Sequence, residues 1–247
     1  MARAVAVEFE AIYAVSHPGR ARLHGFGIFG GSNGYWRTSL LRQVRMHGFM
    51  LTEDIDSSIR AVQAGRRIAV DAGLISRELA PTTLPALWNQ RMRWAQGWFQ
   101  VSLRHLRAGL RSEVLTVRQK FGLGFLLGWR EVYPWLSLQV VPLLGFFAWR
   151  AGSASRLDWF VPVFVLTTLY TLGVGPGQTF FAWRLGVPEI RQRSRWFLAY
   201  VLVSSLFYTE MKNVISRVAQ VKEAMGDRQW TVTTRCAAGA PREADAA

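Results

Sequence analysis

Residues 51–65 read LTEDIDSSIRAVQAG and predict a helix that begins with a cluster of acids. Ile55, Ile59 and Val62 follow at i, i+4 and i+7, which is the spacing of one helical face, and Gly65 stands where a helix cap is expected. Acidic side chains favour the first turn of a helix, because its free N–H groups and its dipole attract negative charge. We therefore expect an amphipathic helix with carboxylates at its N-terminal end.

The segments around this helix alternate between strand and helix patterns. RRIAVD (66–71) alternates as a strand does, and HGFGIFGGSNGYW (24–36) predicts a short strand that enters a glycine-rich loop. VEFEAIYAV (7–15) fits an amphipathic helix, and a further helix is predicted to begin near Thr83. This alternation favours an α/β fold for the first part of the chain.

The helix that follows Thr83 combines two chemically different faces within residues 89–106. At 100° per residue, Gln90, Arg93 and Trp94 share one sector. The opposite side is an apolar stripe of Met92, Ala95, Phe99 and Leu106. The first face offers an amide, a guanidinium and an indole together, and the basic, aromatic character of the segment suits an anionic membrane surface.

The second part of the chain has the composition of a membrane protein. The formal net charge is +14, and the chain carries 11 Trp and 15 Phe. Uncharged apolar runs at 132–149 and 159–183 predict membrane spans, and a shorter run at 196–208 predicts either a tilted span or an interfacial helix. The arginine-rich segment 184–195 is expected on the cytoplasmic side, together with the first part of the chain.

Other classes of function find little support in the residues. The basic residues are not accompanied by zinc-ligand spacing, a basic helix repeat or an RNP-like stretch, so no nucleic-acid partner is predicted. Cys236 is the one cysteine, which excludes an internal disulfide, and the four histidines show no HExxH or similar metal spacing.

Three motifs in order carry a family resemblance. GGSNGYWR (30–37), LTEDIDSSIRAVQAG (51–65) and LWNQRMRW (87–94), followed by apolar runs, resemble the C-terminal half of the family 2 membrane glycosyltransferases. That family includes cellulose, hyaluronan and curdlan synthases and some glycolipid synthases. WTVTTR (230–235) is similar, more weakly, to the gating loop of the processive synthases.

The resemblance implies an architecture for the chain. Residues 1–108 would be the C-terminal part of a GT-A-like α/β catalytic domain with an interfacial helix. Residues 109–220 would form interfacial and transmembrane helices, and 221–247 a cytoplasmic tail. The protein would then be a multi-pass protein of the inner (cytoplasmic) membrane, with two or three crossings and its catalytic part in the cytoplasm.

The resemblance also implies roles for individual residues. Asp54 would be the catalytic base, and we expect its place at a helix N-terminus to keep its pKa low. Arg91 and Arg93 would bind the donor diphosphate, for which a guanidinium fork is suited. The remaining candidates are Trp94, Gln90, Asn33 and Glu53 for the acceptor, and Trp230, Thr233 and Arg235 for gating.

Structural alternatives stay open for these motifs. Trp94 and Met92 are equally typical of a helical core, and Arg91 and Arg93 of a solvated face. The glycine-rich loop would serve as an ordinary surface turn, and residues 230–235 as an ordinary β-prone tail.

The metal expected for such an enzyme, Mg²⁺ or Mn²⁺, is not assigned to residues of this chain. Asp54 and Asp56 form a D-x-D, but in the family the metal motif precedes this segment, so Asp56 is expected to support the helix start. The nucleotide-binding half expected upstream of Gly30 is missing, so either the chain is a fragment or a separate chain supplies that half.

Two functions follow as expectations. The first is an inverting hexosyltransferase that transfers a sugar from a UDP-sugar to a polysaccharide or lipid acceptor. The alternative is a catalytically incomplete, membrane-bound acceptor-binding or partner subunit.

Overall fold

The computed structural model describes residues 1–32, 34–138, 145–146, 149–150 and 174–227. Its helices are α1 (Ala2–Glu10), α2 (His17–His24), α3 (Thr38–Val44), α4 (Glu53–Gln63), α5 (Leu84–Arg111), α6 (Val117–Leu123), α7 (Arg130–Leu138), α8 (174–185), α9 (Pro188–Arg191), α10 (Ser194–Val203) and α11 (Thr209–Ala224). Within the described ranges, the π-helical segments Ala11–Ser16, Gly124–Trp129 and Ser204–Tyr208 join α1 to α2, α6 to α7 and α10 to α11.

The predicted helix at the acidic cluster is confirmed. Helix α4 begins at Glu53, and its face of Ile55, Ile59 and Val62 is buried. Gly65 follows the helix in the left-handed region, with φ +72°. The spacing of apolar residues and the glycine thus placed both ends of α4 correctly.

Replacing Gly65 by alanine is expected to lower the free energy of unfolding by about 1 kcal/mol, because a side chain at positive φ is strained. A built β-carbon would also lie 3.2 Å from Val114 Cγ1. Urea denaturation measures the loss. Gly48→Ala is the matched control, since a β-carbon there meets nothing within 4 Å. Equal stability of the two variants would contradict the prediction.

The helix predicted near Thr83 is also confirmed. Thr83 caps α5, and its hydroxyl accepts a hydrogen bond from the Ala86 amide at 3.4 Å. Helix α5 lies at the centre of the structure and packs most extensively on α11.

Two hydrophobic clusters lie along α5. The first joins α4, α5 and α6 and contains Phe26, Ile28, Met50, Ile55, Ile59, Val62, Val101, Leu115, Leu123, Leu126 and Leu127. The second joins α1 to the C-terminal helices and contains Val5, Val7, Ala11, Leu87, Ala182, Phe197, Tyr200, Tyr208, Met211 and Ile215. Helix α5 therefore places its residues between α4 on one side and α1 on the other.

The prediction of an α/β fold is wrong for the described residues, which contain no strand. The segments 26–30 and 66–71 have no regular secondary structure. They are adjacent, since a β-carbon built at Gly27 would lie 3.0 Å from the Ile68 carbonyl oxygen. They form no backbone ladder, and the Phe29 amide instead donates to the Ser58 hydroxyl of α4 at 2.9 Å. A sheet pattern in the side chains is thus not matched by backbone pairing.

The prediction of membrane-spanning helices is likewise not supported. Among the helices of the described ranges, none combines the length and the apolar character that a bilayer crossing needs. Helix α5 has 28 residues but carries five arginines, and α10 has only 10 residues. Much of the predicted spans at 132–149 and 159–183 lies outside the described residues.

Candidate functional site

Asp54 lies in the first turn of α4 and faces the glycine-rich loop. Its Oδ1 accepts a hydrogen bond from the Ile55 amide at 2.8 Å. A β-carbon built at Gly31 would lie 3.1 Å from Asp54 Oδ2. The loop backbone therefore comes against the carboxylate, and a side chain at position 31 would crowd it.

Burial raises the pKa of Asp54 to about 6, and the neighbouring Glu53 carboxylate adds to this rise. The Ile55 amide and the Arg93 guanidinium act in the opposite direction. The expectation of a low pKa at a helix N-terminus is thus overturned, because desolvation outweighs the helix dipole and the nearby donors. A carboxylate with this pKa is a better proton acceptor near neutral pH than an ordinary aspartate.

Tyr13 and Glu78 belong to the same electrostatic neighbourhood. Burial, followed by the carboxylates of Glu78 and Asp54, raises the pKa of Tyr13 to about 12. The Ser32 hydroxyl donates a hydrogen bond to Glu78 Oε1, which ties the glycine-rich loop to the segment before α5. The site therefore combines two acidic groups with a neutral phenol.

A cavity of about 550 Å³ borders this cluster. Its lining includes Tyr13, Gly34, Tyr35, Trp36, Arg37 and Glu78. The Trp36 indole N–H is buried and has no hydrogen-bond partner among the described residues. Aromatic rings beside guanidinium and carboxylate groups offer both stacking and hydrogen bonding to a polar ring-shaped ligand.

Arg93 and Arg91 point to different parts of the structure. Arg93 donates to the Leu51 carbonyl oxygen at 3.2 Å, just ahead of Asp54. Arg91 is buried and donates to Glu8 Oε2 at 2.6 Å. Of these two arginines, Arg93 is the one that α5 brings to the segment just before α4.

Trp94 lies at the contact between α5 and α1, and Gln90 is buried. The Trp94 ring is stacked on Phe9, with centroids 6.2 Å apart, and the Arg91 guanidinium lies 4.4 Å from its centre. Gln90 is 2% exposed, and its Oε1 has no partner among the described residues. Both side chains lie deeper than their helical spacing alone indicated.

The remaining candidates are only partly placed. Glu53 lies half-buried beside Asp54. Asn33, Trp230, Thr233 and Arg235 lie outside the described residues.

Asp56 is part of a buried network that the sequence did not predict. Its carboxylate is fully buried and lies 2.7 Å from His105 Nε2, 2.8 Å from Arg60 Nε and 2.9 Å from His47 Nδ1. A histidine on a distant helix gives no local signal of such a contact. The network ties α4 to α5.

The residues of the D-x-D do not fit a divalent metal. Both oxygens of Asp56 are already used by its partners, and the part of the chain that the structure describes has no group of three His, Cys, Asp or Glu arranged for a metal.

Asp54 thus lies close to Tyr13, whose ring lines a cavity with aromatic and charged groups that suit a carbohydrate ligand. The comparisons with known proteins agree with a carbohydrate-active class. The model of the "Glycosyl transferase family group 2" matches residues 1–176. The chain belongs to this family of transferases. The Gly-rich loop, α4 and α5 all fall within the matched region.

The curated relatives are similar over a shorter stretch. A poly-beta-1,6-N-acetyl-D-glucosamine synthase of Staphylococcus aureus (strain COL) is 36% identical over 80 residues, which are 32% of this chain and 17% of that protein. The enzyme of the same name from Staphylococcus epidermidis is 32% identical over 84 residues, 34% of this chain and 18% of that protein. No solved structure matches.

Proposed function

We propose that this chain carries acid–base and acceptor-binding residues of a glycosyltransferase that builds a polysaccharide from a nucleotide-activated hexose. The observation that carries the proposal is the place of the Asp54 carboxylate, which faces the Gly31 backbone and is close enough to Arg93 and to Tyr13 of the cavity lining for their charges to interact. The family membership supports the class of reaction. The UDP-sugar donor and the inverting course rest on the family resemblance.

In the proposed reaction, an acceptor hydroxyl oxygen attacks the anomeric carbon of the donor sugar. The bond between that carbon and the diphosphate oxygen breaks, and the diphosphate leaves with the bonding electron pair. Asp54 takes the hydroxyl proton, so that charge and atoms balance. Because its pKa is near 6, Asp54 is mostly ionised at neutral pH and ready to accept this proton.

We assign the departing diphosphate to the arginines of α5. Arg93 lies close enough to Asp54 to influence its pKa. Arg91 is the second candidate through Nη1, which has no hydrogen-bond partner among the described residues, although its other nitrogens are held by Glu8 and Tyr208. Divalent metals are general in this family, but no residue described here is assigned to one.

A glycan is the acceptor class that we favour. The matched relatives are named for the synthesis of a poly-N-acetylglucosamine chain, and the cavity lining of Tyr35, Trp36 and Arg37 suits successive sugar rings. Trp94, Gln90, Asn33 and Glu53 remain the proposed acceptor contacts. Trp230, Thr233 and Arg235 remain the proposed gating residues, and the location at the cytoplasmic membrane also stays a prediction.

The function is tested by incubating membranes that contain the full protein with radiolabelled UDP-glucose and UDP-N-acetylglucosamine, with Mg²⁺ or Mn²⁺ added. We expect label to enter a polymer that is degraded by a glycosidase. Release of free sugar alone, or no incorporation above membranes lacking the protein, would contradict the proposal and favour an acceptor-binding subunit.

Trp94→Phe is expected to raise the acceptor concentration needed for half-maximal rate by roughly tenfold, the size of one lost stacking contact, because a smaller ring offers less stacking area. Phenylalanine still packs on Phe9, so the melting temperature should stay within a few degrees of the parent. Steady-state kinetics with acceptor oligosaccharides measure the effect. An unchanged acceptor requirement together with lower stability would show that Trp94 only packs the α1–α5 contact.

A further inference from the structure

The two residues in front of α4 dock on a single face of α5. The Leu51 carbonyl accepts a hydrogen bond from Arg93 Nη1 at 3.2 Å, and the Leu51 amide donates to Gln100 Oε1 at 3.1 Å. Positions 93, 97 and 100 are spaced i, i+4 and i+7 and therefore lie on one side of the helix. The backbone of Leu51 is thus held through both its N–H and its C=O group.

Gly97 allows this close approach. A β-carbon built at Gly97 would lie 2.5 Å from Thr52 Cγ2, 2.7 Å from Thr52 Oγ1 and 2.9 Å from the Thr52 amide nitrogen. A backbone atom does not move aside as a flexible side chain does, so a side chain at position 97 would push the segment off the helix. The lack of a side chain at Gly97 thus brings Thr52, and Asp54 two residues later, to a fixed distance from α5.

Gln100 also connects this contact to the C-terminal helix α11. Its Nε2 donates to Glu223 Oε2 at 2.9 Å, and Gln96 Nε2 donates to the same oxygen at 3.0 Å. Gln100 and Glu223 are both buried. A carboxylate accepts but does not donate, so Glu223 fixes the orientation of the Gln100 amide and leaves Oε1 toward the Leu51 N–H.

We propose that Gln100, oriented by Glu223, is a positioning residue that holds Leu51 and so sets the place of Asp54 for the transfer reaction. This inference rests on the proposed function. It makes α11 part of the machinery that positions the base, although α11 lies far along the chain from α4. Asp54 is the group that reacts, and Gln100 acts only through the Leu51 peptide.

The test compares Gln100→Glu with the double variant Gln100→Glu/Glu223→Gln in the full chain. In the single variant two buried carboxylates face each other, so the side chain at position 100 is expected to turn away from Leu51. In the double variant the amide introduced at position 223 donates to the carboxylate at position 100, so the contact should return. Gln43→Glu, on the exposed surface of α3, is the matched control.

Hydrogen exchange of the Leu51 amide is the first measurement, and it does not depend on catalysis. We expect exchange to become at least about tenfold faster in Gln100→Glu, which corresponds to loss of one buried hydrogen bond, and to recover in the double variant. Unchanged protection of Leu51 in a folded Gln100→Glu protein would overturn the contact itself. Should that variant not fold, Glu223→Leu is measured, because it removes the acceptor that orients Gln100, and it should still accelerate exchange at Leu51.

The pH profile of transfer is the second measurement. In Gln100→Glu we expect kcat to fall by about tenfold or more, with the acid limb shifted and the KM for the donor unchanged, and both effects to recover in the double variant. Faster exchange with an unchanged pH profile would overturn the positioning role and leave the proposed function standing. A parent protein that transfers no sugar would contradict the proposed function, while the exchange data would still decide the contact.

Discussion

Asp54→Asn is expected to lower the rate of sugar transfer by about 10²–10⁴-fold, the usual contribution of a positioned general base. Asparagine keeps the shape of the side chain but accepts no proton. Burial raises the pKa of Asp54 to about 6, so the parent rate should rise with pH up to about 6 and then level off. The residual rate of Asp54→Asn should lack this acid limb. Initial rates between about pH 4.5 and 8.5, on both sides of that pKa, measure both effects.

Stability provides the control for this variant. Because the pKa of Asp54 is raised on folding, its contribution to stability is fully present below pH 3.8 and is lost as the pH rises through about 6. Asp54→Asn removes the partly buried charge, so its melting temperature at about pH 8 should equal or exceed that of the parent. A variant that is stable yet transfers sugar within about tenfold of the parent rate would show that another group is the base.

Local features of the fold could be predicted from the sequence. The acids, the apolar spacing and Gly65 predict helix α4, and the start of α5 near Thr83 is predicted as well. Such signals act over one or two helical turns, so they do not depend on which other segments pack against the helix. The order of the three motifs likewise indicated the family that the matching model confirms.

The interactions that decide the chemistry could not be predicted in the same way. The helix N-terminus indicated a low pKa for Asp54, but the approach of the Gly31 loop buries the carboxylate and reverses the direction. Residues 26–30 and 66–71 have strand patterns, yet they form no backbone ladder. In both cases the outcome depends on which distant segment lies alongside, and a side-chain pattern does not encode that.

Arg91 shows the same limit at longer range. Its spacing on α5 is equally typical of a solvated face and of a ligand contact. Neither interpretation predicts that Glu8 on α1 is its partner. Glu8 is separated from Arg91 by 83 residues and from Tyr208 by 200. The one local hint was a glutamate within an otherwise apolar turn of α1. A buried acid of this kind needs a cationic partner. The sequence has 30 Lys and Arg residues, so the sequence alone does not identify that partner.

Removing the charge of Glu8 is expected to lower the stability of this chain strongly. Glu8 Oε2 accepts hydrogen bonds from Arg91 Nη2 at 2.6 Å and from the Tyr208 hydroxyl at 2.7 Å, and Lys212 Nζ lies 3.4 Å from Oε1. Burial alone would raise the pKa of Glu8, but Lys212 and Arg91 hold it below its ordinary value. Glu8→Gln leaves the buried guanidinium without its counter-charge, so we expect a loss of about 3–5 kcal/mol in the free energy of unfolding.

The exposed ion pair of Arg77 and Glu189 supplies the matched control. Its N–O distance is also short, 2.7 Å, but the two side chains are 76% and 61% exposed, so Glu189→Gln should cost about 0–1 kcal/mol. The double variant Glu8→Leu/Arg91→Met should regain much of the loss, since it removes both buried charges together. Denaturant unfolding of the three variants separates these cases. If Glu8→Gln were no more destabilising than Glu189→Gln, the network joining α1, α5 and the C-terminal helices would not be a closed, buried ion pair.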